Sequence, residues 1–245
     1  MTQAYYEIIS NNPIAPSVFR MSLSGDTSEI TRPGQFVNIK IDGLFLRRPI
    51  SVCDWDRNNL TIIYKVVGEG TKLMSRMKPG QKLDLLCGLG NGFDTSKCPE
   101  KAALVGGGAG VPPLYGLAKR LIAEGKKPFA VLGFNTGAEI FLKDEFCALG
   151  IRTVIATLDG SAGIEGFVTD ALREESYDYY CACGPLPMLR AVYDMGARGQ
   201  LSFEERMGCG FGACMGCTCK TLTGGKRICV EGPVLDSGEV LFDEA

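Results

Sequence analysis

Up to residue 96 the apolar and polar positions tend to alternate. Val37, Ile39 and Ile41 are separated by Asn38 and Lys40, the pattern of a strand with one buried face. Leu60-Thr61-Ile62-Ile63-Tyr64-Lys65-Val66-Val67 is a β-branched run stopped by glycine, and Leu83-Asp84-Leu85-Leu86 is a further short strand. Pro33-Gly34 and Pro79-Gly80 mark turns between such runs. Short strands with this punctuation predict a small antiparallel barrel over residues 1–96.

The polar stretch Asp94-Thr95-Ser96-Lys97-Cys98-Pro99-Glu100 reads as a boundary, and the rhythm changes after it. Ala102-Ala103-Leu104-Val105 is a buried-type strand, followed by glycines and a helix from Pro112 to Ala123. Strands at Phe129–Phe134, Thr153–Thr157 and Tyr179–Cys183 are spaced by helical segments near Lys143–Leu149 and Met188–Met195. Strands alternating with helices predict a doubly wound parallel sheet, placed at residues 97–200. Residues 201–245 are rich in glycine and cysteine, show little helical period and form a third, small segment. The chain is therefore expected to be multi-domain: barrel, α/β domain, cysteine-rich segment.

Composition changes the picture at two points. The 245 residues include 11 cysteines and no histidine. An odd cysteine count beside a start, MTQAYYEIISNNP, that lacks a basic and then apolar leader predicts a cytoplasmic chain whose cysteines serve metal or redox chemistry. Without histidine the commonest general base is missing, so no catalytic acid or base is assigned and a cofactor is expected to carry the chemistry. The net charge of −2 gives no reason to expect nucleic acid as a partner, and no uncharged apolar run is long enough to cross a membrane.

The cysteines cluster at Cys209-Gly210-Phe211-Gly212-Ala213-Cys214-Met215-Gly216-Cys217, with Cys229 further on. The spacing C-x4-C-x2-C…C is that of plant-type [2Fe–2S] proteins, in which thiolates converge from a loop wrapped around the cluster. Small residues on that loop let backbone N–H groups approach the sulfurs. The competing reading is structural zinc, which usually takes two C-x2-C-like pairs; only one is present, and Cys219 is a spare.

Val105-Gly106-Gly107-Gly108-Ala109-Gly110 ends a strand and opens a helix, which suits a pyrophosphate at a helix N-terminus. Cys183-Gly184-Pro185 lies at the carboxyl end of another expected strand, where open α/β sheets bind ligands. In the barrel, Arg47-Arg48-Pro49-Ile50-Ser51 precedes Gly68-Glu69-Gly70-Thr71. The arginine pair reads either as a solvated face or as a phosphate clamp, with a backbone N–H and the hydroxyl of Gly70-Thr71 offered to the same diphosphate.

The order R-P-I-S, I-Y-K, G-E-G-T, G-G-G-A-G, C-G-P and S-F-E-E-R-M-G-C-G-F-G-A-C-M-G-C resembles the electron-transfer subunits of NAD-linked dihydroorotate dehydrogenases. More broadly it resembles the ferredoxin–NADP reductase-like flavoproteins. The resemblance covers nearly the whole chain, and its most specific stretch is Ser202 to Cys217. It implies that Arg48, Pro49, Ile50 and Ser51 hold FAD, with Ile63, Tyr64 and Lys65 along its edge and Gly70 and Thr71 at its diphosphate. It implies that Gly106, Gly107, Gly108, Gly110, Cys183, Gly184 and Pro185 serve NAD, with Ser51 and the Cys183-Gly184 turn near the nicotinamide–flavin contact. It implies that Cys209, Cys214, Cys217 and Cys229 hold the cluster. Relatives often carry R-x-Y-S, whose tyrosine stacks on the flavin; Ile50 stands there in this chain. The implied partner is an FMN-containing catalytic subunit that oxidises dihydroorotate, two of each chain making a heterotetramer in pyrimidine biosynthesis. Three other readings share features of the sequence: a sulfide dehydrogenase or NADPH-linked transhydrogenase subunit, a self-sufficient reductase, and a zinc-stabilised interaction module.

Overall fold

Residues 1–242 are described in a computed structural model of the chain. Six strands, β1 (Thr2–Ala15), β2 (Val18–Ser24), β3 (Phe36–Ile39), β4 (Arg48–Trp55), β5 (Asn59–Lys65) and β6 (Lys82–Leu89), close into an antiparallel barrel in the order β1-β2-β5-β4-β3-β6. Strand alternation decides which side chains fill it. Val37 and Ile39 point inward onto Val52, Ile62 and Leu85, while Phe36 faces outward into a second core shared with Cys217 and Cys229. A short helix, α1 (Glu69–Met74), follows β5.

The second layer system is a seven-stranded sheet. Its strands are β7 (Ala103–Gly107), β8 (Phe129–Phe134), β9 (Thr153–Thr157), β10 (Ile164–Glu165), β11 (Tyr179–Cys183), β12 (Arg198–Ser202) and a last strand at Val234–Asp236. The order is β10-β9-β8-β7-β11-β12 and then that last strand. The first six run parallel, and the last pairs antiparallel with β12. From β7 the chain winds one way to β10, then returns to place β11 on the other side of β7. The order reverses between β7 and β11, the place where open α/β sheets bind ligands. The helices are α2 (Val111–Ala123), α3 (Lys143–Ala148), α4 (Val168–Arg173) and α5 (Leu186–Tyr193). Pro112 and Pro113 open α2, where a missing N–H does no harm, and Leu114, Leu117, Ala118 and Leu121 form its buried face.

Helix α2 also packs on the barrel. A Cβ at Gly116 would lie 2.8 Å from the carbonyl oxygen of Cys53 in β4, so glycine permits this approach. Lys119 pairs with Asp54 of β4 at 2.6 Å. The C-terminal segment adds the hairpin β13 (Thr218–Thr221) and β14 (Gly224–Arg227), and Val234–Asp236 is thus β15. The segment is not free-standing: it lends β15 to the sheet, and residue 200 falls inside β12. Among the described residues no helix is long and apolar enough to cross a membrane.

Candidate functional site

The two barrel motifs meet. Arg48 begins β4 and its side chain crosses Gly70 of α1, where an added Cβ would collide with its Nε. Its neighbour has a different task. Arg47 donates to Asp84 Oδ1 at 2.9 Å and to the Asp84 carbonyl at 3.0 Å, so it stitches the loop before β4 onto β6. Arg48 donates only to the Leu46 and Arg47 carbonyls and has no carboxylate partner among the described residues. A guanidinium placed so, over the first turn of a helix whose first N–H groups have no intrahelical acceptor, suits an anion. The Thr71 hydroxyl is already engaged: it accepts from Val67 N at 3.0 Å and donates to the Gly68 carbonyl at 3.1 Å. What α1 can offer a diphosphate is therefore backbone, not this hydroxyl.

The other barrel residues divide by strand parity. Ile50 packs toward the barrel core, while Pro49 and Ser51 lie on the opposite face, across from Asn38 and Phe36 of β3. Ile63 joins the core beneath α2. Tyr64 is buried in the barrel, stacked on Phe19 with its hydroxyl donating to Asn11 Oδ1 at 2.9 Å. Lys65 ends β5 and lies 3.9 Å from Glu139 of the α/β domain.

The two glycine turns of the sheet also meet, at the reversal between β7 and β11. A Cβ at Gly110 would collide with the carbonyl of Cys183. One at Gly184 would lie 3.2 Å from Gly107 N, and one at Gly107 3.2 Å from Pro185 Cδ. Gly108 has φ +49° and open space where a Cβ would stand. The result is a cradle of bare backbone at the start of α2, which fits a dinucleotide. The turn Gly108–Gly110 also touches β5, so this cradle adjoins the barrel motifs. Burial, with Glu204 nearby, pushes the Cys183 thiol up to about 12, so it lines the cradle as a neutral group.

The four motif cysteines come together as two pairs. Cys209 Sγ accepts from Ala213 N at 3.2 Å and Cys214 N at 3.4 Å, and Cys214 Sγ accepts from Cys209 N at 3.4 Å. Burial opposes ionisation of Cys209, but N–H groups of Phe211, Cys214 and Ala213 and the Cys214 thiol outweigh it and bring the thiol to about 6. Cys217 and Cys229 are buried together in one cluster. Among the described residues no three such side chains are set to hold a single metal ion. Two dithiol pairs on one loop system fit a binuclear cluster, in which each iron takes two thiolates, better than one tetrahedral zinc. Gly208 and Gly216 keep the space beside Cys214 Sγ clear: a Cβ would stand 3.1 and 3.5 Å from it. Cys219 lies on β13, paired with Lys226 and partly buried.

Residues that short motifs do not reveal hold this loop in place. Asn38 Nδ2 donates to the Cys209 carbonyl at 3.0 Å. Arg227 Nη1 donates to the Gly212 carbonyl at 2.9 Å while its guanidinium pairs with Glu231. Asn91 donates to the carbonyls of Glu231 and Val234 and accepts from Val234 N at 3.1 Å. Their partners are distant in the chain, so no local spacing marks them.

Comparison with known proteins agrees with this geometry. Residues 204–241 match the iron–sulfur cluster binding domain of dihydroorotate dehydrogenase B, and residues 104–194 match the oxidoreductase NAD-binding domain. The dihydroorotate dehydrogenase B (NAD(+)) electron transfer subunit of Geobacillus sp. (strain WCH70) is 45% identical over 99% of this chain and 100% of its own length. That of Fusobacterium nucleatum subsp. nucleatum is 44% identical over 94% of this chain and 95% of its own. Among solved structures, the NADH-dependent reduced ferredoxin-NADP oxidoreductase superposes with a TM-score of 0.87 at 32% identity, covering 96% of this chain and 89% of that one. Phthalate dioxygenase reductase superposes at 0.65 with 21% identity, covering 79% and 64%, a likeness of fold. The barrel, the switch-point cradle and the cysteine loop are those of an oxidoreductase chain, and this chain belongs to the family of electron transfer subunits of NAD(+)-linked dihydroorotate dehydrogenase B.

Proposed function

We propose that this chain takes electrons from a partner subunit that oxidises dihydroorotate and delivers them to NAD⁺, in the cytoplasm, as a step of pyrimidine synthesis. Its cofactors are FAD, an iron–sulfur cluster and NAD. The flavin would join single-electron transfer at the cluster to two-electron hydride transfer at the nicotinamide. In our division, residues 1–96 serve FAD, 97–200 NAD and 201–245 the cluster; residues 243–245 lie outside the described chain.

Each group of side chains has a separate task in this reading. Arg48, with the backbone of Gly70 and Thr71, neutralises the FAD diphosphate, and Pro49 and Ser51 line the ring on the outer face of β4, with Ile50 between them in the strand. Ile50 stands where relatives stack a tyrosine and backs this wall from the barrel side, while Ile63 holds β5 beneath α2. Tyr64 acts from within, keeping the barrel wall in shape, and Lys65 sits at the domain junction. Gly106, Gly107, Gly108 and Gly110, with Cys183, Gly184 and Pro185, leave the backbone cradle for NAD. Cys209, Cys214, Cys217 and Cys229 are the cluster ligands, as a [2Fe–2S] centre. No side chain serves as general acid or base. The partner would carry FMN, with two copies of each chain in the assembly.

The observation that carries this reading is adjacency. Strands β3 and β4 form one wall, with the Arg48–Ser51 run on β4 and the Cys209 loop bonded to β3. Strand β5, paired with β4, touches the Gly108–Gly110 turn. Three sites within one wall make a short path for electrons. The test is the visible absorption spectrum of the purified chain, with analysis of the flavin released on denaturation. FAD with a [2Fe–2S] spectrum supports the reading, and a colourless protein with stoichiometric zinc overturns it.

A further inference from the structure

Asn38 occupies an unusual place in the wall between the proposed flavin and cluster sites. It lies on β3, directly across from Pro49 of β4, and by strand parity its side chain leaves the barrel on the same face as those of Phe36, Pro49 and Ser51. It is 1% exposed. Its Nδ2 donates to the carbonyl of Cys209 at 3.0 Å. Gly210, the next residue of the loop, has φ +77°, and a Cβ there would collide with the same Nδ2. The loop has thus given up its side chain to let this amide reach the backbone of the first cysteine.

The other end of the amide is unsatisfied. Asn38 Oδ1 is buried and has no hydrogen-bond partner. Flipping the amide does not help, because the oxygen would then face the Cys209 carbonyl, acceptor against acceptor. If only packing mattered, leucine would fill the space without a stranded acceptor. A buried acceptor of this kind is normally met by a donor, from water or from a bound group.

We propose that Asn38 is a positioning residue that couples the flavin site to the cluster site: Nδ2 fixes the Cys209 end of the cluster loop, and Oδ1 accepts a hydrogen bond from an N–H of the flavin ring bound along β4. This rests on the placement of FAD against Arg48–Ser51 given under Proposed function. In effect the amide sets the spacing and the orientation between two electron carriers, and flavin binding completes its hydrogen bonds. The loop is then more tightly held when FAD is present than when it is absent.

The test uses the full chain reconstituted with FAD, iron and sulfide. Asn38→Leu removes both polar atoms while keeping the number and branching of the side chain's heavy atoms. With FAD, iron and sulfide contents equal to wild type, rapid mixing with NADH should show reduction of the cluster slowed by about tenfold relative to reduction of the flavin followed in the same protein. The g-values of the reduced cluster should shift, and FAD should bind several-fold more weakly. A merely structural asparagine would lower the melting temperature and leave the g-values and the ratio of the two rates alone. The second measurement needs no variant: hydrogen exchange of the amides at 209–212 in the wild-type protein, with and without FAD. Slower exchange with FAD supports the coupling. Equal exchange in the two states, or an Asn38→Leu protein with wild-type g-values and rates, overturns it. If instead the chain binds no FAD, or Arg48→Ala leaves FAD affinity unchanged, the flavin placement itself is what fails.

Discussion

The side chain of Arg48 passes over Gly70, filling the space that a Cβ at residue 70 would need. Two motifs separated by a whole strand thus meet at one corner, which we propose takes the FAD diphosphate. Arg48→Ala should remove a charge-assisted contact of about 1.5–3 kcal/mol and weaken FAD binding roughly ten- to a hundredfold. Gly70→Ala should act in the same direction by displacing the arginine, although it removes no charge. Arg47→Ala should behave differently, lowering stability through the loss of the Asp84 pair and leaving FAD affinity closer to wild type. Titration of the apo-chain with FAD, followed by flavin fluorescence, checks all three.

At the sheet reversal the sensitive position is Gly110. A side chain there meets the Cys183 carbonyl, which is backbone and cannot rotate away. Gly110→Ala should therefore push the two turns apart and raise the KM for NADH by on the order of tenfold or more, with FAD content unchanged. Steady-state assays with an artificial acceptor measure this directly.

The cysteine pairs predict a sharp difference between two neighbours. Purified anaerobically, the chain should contain about two irons and two acid-labile sulfides. Cys229→Ser should abolish the cluster spectrum, because it removes one of the four proposed thiolate ligands. Cys219→Ser should retain the spectrum, because Cys219 lies on the hairpin β13–β14, apart from both pairs. Loss of the cluster in the Cys219 variant would reassign the ligands.

Nucleotide choice turns on a carboxylate. The segment Gly133-Phe134-Asn135-Thr136-Gly137-Ala138-Glu139 after β8 has no arginine or lysine to take a 2′-phosphate. Glu139 is held by Asn135 Nδ2 at 3.0 Å and lies 3.9 Å from Lys65, so it also pairs with that cation. NADH should be preferred over NADPH in kcat/KM. Glu139→Gln removes a repelling charge and frees Lys65, and should narrow that preference by about threefold to tenfold, since charges near a surface interact by ~1 kcal/mol. A wild-type preference for NADPH would refute the assignment.

Much of this was legible in the chain because its signals are local. The α/β rhythm after Glu100 gave β8, β9 and β11 with the limits observed, since parallel strands buried on both faces read as continuous apolar runs. The cysteine spacing and both glycine turns are local as well. What escaped is non-local. Strand β1 ends in Ser-Asn-Asn-Pro-Ile-Ala, which reads as a loop; it is held as strand by pairing with β2, while Asn11 bonds the carbonyls of Met74 and Met77. Helix α1 is only six residues long and contains a glycine, so no period announces it. The different tasks of Arg47 and Arg48 depend on Asp84 and Gly70, and the role of Asn38 depends on a carbonyl 171 positions away.

The remaining prediction concerns the partner. The sequence contains no histidine, and among the described residues we assign no side chain as the base for a carbon acid. A cluster also needs an electron source beside it. Around the cysteine loop, Phe211, Met215 and Val230 are exposed by 45%, 57% and 40%, although each is large and apolar. Met215 is held at φ +58°, a conformation uncommon for a residue with a side chain, and its side chain is largely exposed. Apolar groups exposed around the cysteine loop suit a surface that another protein covers. Co-expressed with an FMN-containing dihydroorotate dehydrogenase subunit, the chain should elute as a complex and reduce NAD⁺ with dihydroorotate, while alone it should only pass electrons from NADH to artificial acceptors. Replacing Phe211 and Met215 together with Asp should weaken the complex by at least about tenfold on gel filtration and leave the NADH-to-acceptor activity of the isolated chain intact. Oxidation of dihydroorotate by the isolated chain, or the absence of any stable complex, would show that it works as a self-sufficient or differently partnered reductase.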